Sequence, residues 1–203
     1  GVSAGGSYAA SCAALIPSRL TNAAIVSSAG VAKYNWGERP GTQETWSAQD
    51  RAEFDLIQRD AVAGADLTSA NFAAEAIELE QHPELIHEDL AQAEGDRWFF
   101  TDPVRVAAFD AYIREAWRQG FDALKWTLSA IYRPWGFRLA DISIPIRIFH
   151  GSQDPWVTEA EIEFQTSTIP RTSLVVWPDS GHLGFVKHWG EIMTMLGASP
   201  DAA

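Results

Sequence analysis

Sheet-forming sequence occurs in three short places, and their spacing restricts what this chain can fold into. Residues 22–28, 144–150 and 173–177 are apolar, β-branched runs, each closed by turn residues: Ala29-Gly30, Gly151 and Pro178-Asp179-Ser180-Gly181. A small-residue helical segment (5–16) precedes the first run. Helical patterns over 158–168 and 183–196 follow the second and third. Strands separated by helices predict β-α-β units and a parallel sheet flanked by helices, an α/β fold. Between residues 31 and 133 no useful period-2 alternation occurs. Helical patterns over 45–63, 68–80, 83–93, 103–119 and 121–132 take its place, after a Gly- and Pro-containing hinge at 33–41. The expected organisation is a core of residues 1–32, an all-helical cap insertion over 33–118 and a core of 119–203. The last helical pattern, 121–132, is expected to return to the core.

The bulk numbers exclude several classes. A chain of 203 residues with 46% hydrophobic and 21% charged residues suits one sizeable globular domain carrying an insertion. With 15 basic against 27 acidic residues and a net charge of -12, it lacks the clustered cations of a nucleic-acid surface. No apolar stretch reaches membrane-spanning length, and no signal peptide precedes the first motif, so the expected location is cytoplasmic. The single Cys12 rules out an internal disulfide and reads as a small buried hydrophobe on a helix.

The first five residues, Gly1-Val2-Ser3-Ala4-Gly5, form a G-x-S-x-G pattern, followed by Gly6. A serine hydroxyl attacks only when a neighbouring base removes its proton. A sharp strand-to-helix turn can present it, with Gly1, Ala4, Gly5 and Gly6 supplying room. The following helix aims free N–H groups at a developing oxyanion, and the Ala4 N–H is the first such donor. Asp154 and His182 each follow another strand-like run. In an open parallel sheet the carboxyl ends of the strands share one edge, so Ser3, Asp154 and His182 are expected to converge there. In that arrangement His182 takes the proton of Ser3, and Asp154 orients the imidazole.

These motifs (Gly1 to Gly6, His150-Gly151-Ser152-Gln153-Asp154, and Ser180-Gly181-His182) resemble the α/β-hydrolase superfamily. The stretch from Pro134-Trp135-Gly136-Phe137 through Leu139, Ile142 and Pro145 to Gly151 is similar to many capped bacterial members. The resemblance covers the core segments along essentially the whole chain and the helical cap more loosely. It implies a serine hydrolase that works through an acyl-enzyme on a carboxylic ester or related acyl bond, without metal or organic cofactor. Serine at the elbow, where related dehalogenases and epoxide hydrolases carry aspartate, argues against those chemistries. The pattern departs at its front: no strand stands before Gly1, so N-terminal strands and the second oxyanion donor are expected in a missing N-terminal half or a complementary chain.

Within the fold the bond stays open: C–C hydrolase, iminopeptidase, thioesterase and lactonase chemistry can share this triad. Glu75, Glu78 and Glu80 could hold a substrate amine for an iminopeptidase, although a solvated helix face is the plainer account. A ligand-binding, receptor-like protein on a hydrolase scaffold is the rival from another class. Trp36 and Trp46 near the hinge, and Trp156 just past Asp154, are candidates to line a pocket for a small apolar acyl substrate. Asp179 reads as a surface turn residue, His150 as a support of the acid loop, and His82, His87 and His188 as surface or capping residues.

Overall fold

A computed structural model describes residues 1–28, 48–131 and 135–197. Two compact units are present. One comprises Gly1–Gly41, Ala93–Asp96 and Trp135–Ala203; the other comprises Thr42–Gln92 and Arg97–Pro134.

The first unit is built on three parallel strands, β1 (Ala23–Val26), β2 (Ile146–Gly151) and β3 (Thr172–Trp177), in that spatial order. Ala23 lies opposite Ile146, and Ile146 opposite Thr172. A parallel bridge between Val2 and Val26 brings the first residues alongside the other edge of β1. Every residue of β1 and β2 is buried. That is the physical reason these runs are apolar throughout instead of alternating. The period of two decides which face each residue serves. Ile25, Ile146 and Ile148 pack with Ala10, Ala13 and Ile162 from α1 (Gly5–Leu15) and α7 (Glu159–Thr168). Ala24, Val26 and Phe149 turn to the opposite face and meet Trp177 and Ile192, the latter on α9 (Trp189–Gly197).

Helix α1 sits close to the sheet because its facing residues are small. A Cβ on Gly6 would lie 2.6 Å from the Ser28 Cβ and 3.1 Å from the Ile25 Cγ2. Gly1 is crowded by the backbone of Gly5, whereas Gly5 has open space around it, so of the three glycines Gly1 and Gly6 answer a steric demand. The segment after His182, expected as one helix, is two: α8 (Gly184–Lys187) and α9. The break falls at His188. Its ring stacks on Trp177 at 4.5 Å, and its carbonyl restarts the helix by accepting from Glu191 and Ile192.

The regular elements described in the second unit are all helices: α2 (Ala48–Arg59), α3 (Ala61–Gln81), α4 (Glu84–Leu90), α5 (Pro103–Trp117) and α6 (Asp122–Ile131), besides a 3-10 stretch. The division between its first two helices falls at Asp60, whose carboxylate accepts the N–H groups of Val62 (3.1 Å) and Ala63 (3.0 Å) and caps α3. Gly64, which falls between the expected helical patterns 45–63 and 68–80, lies inside α3. A Cβ there would come 2.6 Å from the Ile57 Cα, so its bareness lets α2 and α3 pack. Helix α6 packs on α3, where Lys125 pairs with Asp66 and the Ser69 hydroxyl donates to the Phe121 carbonyl (3.3 Å). A 3-10 stretch, Glu94–Thr101, has no counterpart in the periodicity of the sequence; its first three residues belong to the first unit and the rest to the second.

Candidate active site

Ser3 stands where the first strand-like residues turn into α1. Its N–H donates to the Val26 carbonyl (3.0 Å), which fixes it level with the end of β1. Its backbone is left-handed, with φ of 51°, a conformation that costs a residue with a Cβ roughly 1–3 kcal/mol and persists only where the surroundings enforce it. The enforcement is visible on both sides: the Gly5 N–H donates to the Val2 carbonyl (2.8 Å) and the Gly6 N–H to the Ser3 carbonyl (2.9 Å). The Ala4 N–H, at the head of α1, has no hydrogen-bond partner among the described residues. A helix of 11 residues follows it, and its free N-terminal amides favour negative charge at this end.

Asp154 and His182 form a bonded pair, Oδ2 to Nδ1 at 2.8 Å, with the Asp154 side chain fully buried and that of His182 12% exposed. The other carboxylate oxygen of Asp154 accepts from the backbone N–H groups of Trp156 (2.9 Å) and Val157 (3.1 Å). Three hydrogen bonds therefore hold the carboxylate in one orientation. With Asp154 ionised, Nδ1 of His182 carries the proton and Nε2 keeps a lone pair. Trp156 places its ring edge-on to the imidazole at 4.8 Å while remaining 42% exposed.

Register brings these groups to one edge of the sheet. Val26 pairs with Phe149, so Ser3, Ser27 and His150 follow the same level of the strands, and Asp154 and His182 come from the turns beyond β2 and β3. The turns are tied together: the Ser152 N–H donates to the Trp177 carbonyl and the Gln153 N–H to that of Ser180, each at 3.0 Å. No hydrogen bond joins Ser3 Oγ to His182 among the described residues. The acid–imidazole pair is formed; the serine shares its edge of the sheet without that bond.

Two groups at this site escape a sequence reading. Asp96, fully buried, accepts the N–H of Gly181 (2.9 Å) and that of Leu183 (2.8 Å), the two neighbours of His182. Burial pushes its carboxyl above the usual range, while the two N–H bonds pull the other way. Next to it, the Gly95 N–H donates to the side-chain oxygen of Gln153 (2.8 Å). The sequence signal, Gly95-Asp96 after a helix, is too short to single out. Gly181 explains the close approach, since a Cβ there would collide with the Asp96 carboxylate.

The remaining candidates sort themselves by environment. Asp179 pairs with Lys187 (2.8 Å) with 68% of its side chain exposed, away from the imidazole's bonded carboxylate. His150 is buried, its Nδ1 has no hydrogen-bond partner, and burial holds its pKa below the ordinary imidazole value. His82 meets Glu84, His87 meets Asp110, and no group of three possible metal ligands gathers among the described residues. Trp36 and Trp46 lie outside the described residues. Among those described, no helix is long and apolar enough to cross a membrane.

A family model described as the alpha/beta hydrolase fold matches residues 1–188. No curated protein sequence matches the chain. Among solved structures, an N-acyl homoserine lactone degrading enzyme is similar at TM-score 0.56 and 19% identity, covering 97% of this chain and 64% of that one. A candidate non-heme bromoperoxidase from Mycobacterium tuberculosis is similar at TM-score 0.55 and 19% identity, with 97% and 63% covered. An esterase from Exiguobacterium antarcticum is similar at TM-score 0.51 and 17% identity, again with 97% and 63% covered. The chain spans less than two thirds of the length of each of these proteins, and at such identities the likeness is one of fold.

Proposed function

The chain belongs to the alpha/beta hydrolase family, and from that premise we propose that it carries the catalytic centre of a serine hydrolase that cleaves a carboxylic ester or related acyl bond. The observation that carries this reading is the buried Asp154–His182 hydrogen bond at the sheet edge that also bears a left-handed Ser3. Ser3 Oγ attacks the acyl carbon as His182 Nε2 takes its proton. The tetrahedral oxyanion is met by the Ala4 N–H and the N-terminal end of α1. His182 then returns the proton to the leaving alcohol, leaving an acyl-enzyme on Ser3. Water attacks that ester with His182 again as base and frees the acid. Asp154 keeps the imidazole in the productive tautomer and stabilises its charged form. No metal or organic cofactor enters these steps.

Trp156, beside His182 and partly exposed, is proposed to line the apolar side of the substrate pocket, with Trp36 and Trp46 as its further candidates. Substrates to be tried include p-nitrophenyl esters, thioesters and lactones.

The test is fluorophosphonate labelling of the full-length gene product, located by peptide mapping, with Ser3→Ala alongside. A single adduct on Ser3, absent from the variant together with ester turnover, is expected. A folded wild-type protein that takes no adduct, or a variant that turns over esters undiminished, would sink the proposal. Ligand-induced thermal stabilisation without turnover would then favour a binding protein on this scaffold.

A further inference from the structure

We propose that Asp96 is a positioning residue for His182, gripping the backbone on both sides of the imidazole and so setting its reach toward Ser3. This rests on the serine-hydrolase reading given above. The two N–H groups that Asp96 accepts belong to residues 181 and 183, so His182 is suspended between two bonds to one carboxylate. A loop residue held on one side can swing about its backbone; held on both, its Cα is fixed and the side chain retains only its own rotamers. The Asp154 bond then fixes those.

The geometry is specific in three ways. Asp96 is fully buried, so its bonds are not traded with solvent. The position between them requires glycine at 181, because a side chain there would strike the carboxylate. The neighbouring Gly95 N–H donates to the side-chain oxygen of Gln153 (2.8 Å), and the Gln153 backbone N–H donates to the Ser180 carbonyl (3.0 Å). One four-residue segment, Ala93–Asp96, thereby braces the loop of the acid and the loop of the imidazole together. Bonds spanning 85 and 87 residues of sequence are costly to assemble, and they converge on the one loop that must hold a proton acceptor still. Misplacing a reacting group by about 1 Å can lower a rate on the order of 100-fold.

The experiment uses the full-length gene product with D96N and S3A, assayed by fluorophosphonate labelling and p-nitrophenyl butyrate hydrolysis. Asparagine keeps one acceptor but turns an amide donor on the second N–H, and it removes a negative charge near the imidazole. The expected result for folded D96N is labelling and kcat lowered by about 100-fold with KM within about twofold. A variant merely loosened in structure would raise KM along with the fall in kcat. Folded D96N that labels at the wild-type rate, or that loses kcat only together with a raised KM, overturns the inference. If S3A labels as the wild type does, the serine-hydrolase reading itself fails, and the inference falls with it. Should D96N not fold, hydrogen exchange on the wild type decides. Amides of Gly181 and Leu183 protected like those of β2 are expected, and exchange at the rate of an open turn overturns the clamp.

Discussion

An imidazole that serves as a base must present an unprotonated nitrogen to the hydroxyl, and the acid beside it decides which nitrogen that is. Asp154 is committed on both oxygens: Oδ1 to the Trp156 and Val157 amides, Oδ2 to His182. In Asp154→Asn the oxygen has to stay on the two backbone donors, which turns the NH2 group toward Nδ1. His182 then shifts its proton to Nε2 and faces Ser3 as a donor. The expected outcome is a fall in kcat of about 10³–10⁴-fold with little change in KM, measured by steady-state hydrolysis of p-nitrophenyl butyrate. A loss smaller than about tenfold would mean that Asp154 does not set the tautomer. Asp154 and His182 are legible as site candidates because each follows a turn signal after an apolar run, and Ser3 because it sits in the G-x-S-x-G pattern. Asp96 was not, because its role comes from contacts more than 80 residues away in sequence.

Among the elements, α7 connects the acid loop to the core. It begins four residues after Asp154's neighbour Pro155, with Thr158 and Glu161 in a reciprocal cap. The Thr158 hydroxyl accepts the Glu161 N–H (3.3 Å), and the Glu161 carboxylate accepts the Thr158 N–H (3.0 Å). Thr158→Ala removes one half of that cap and leaves Glu161, which is buried, without its hydroxyl donor. A loss of about 1 kcal/mol in urea unfolding with an unchanged m-value is expected; a midpoint equal to wild type would show that the helix start is held by packing alone. The buried strands are legible in the sequence as apolar runs closed by turn residues. The helix ends are less legible. The division at Asp60 depends on a side chain competing for two amides, and Gly64 sits mid-helix because Ile57 needs its space. Propensity alone reads that glycine as a break. The stop at His188 likewise depends on a ring stacking on Trp177, a partner 11 residues earlier on another element.

At the scale of the whole molecule, pH acts through two opposed effects. With 27 acidic and 15 basic residues the net charge is -12, so mild acidification relieves self-repulsion and favours the folded state. His150 opposes this. It is 3% exposed at the end of β2, and burial lowers its pKa below the ordinary 6.5 despite the nearby Asp154 and Glu159 carboxylates. Above that ordinary value both folded and unfolded chains hold His150 neutral, and its contribution is complete. As pH falls through it, the unfolded chain takes up a proton that the folded one refuses, and stability drains away until the lowered native value is reached. One proton allows a slope of at most about 1.4 kcal/mol per pH unit. Because the charge effect is common to any variant of neutral His150, His150→Gln isolates the imidazole's share. The loss of stability between pH 7 and 5.5 in urea unfolding should be smaller in the variant than in the wild type. Equal losses would show that the folded protein admits the proton, and with it that β2 opens to solvent at its carboxyl end, where the acid loop begins.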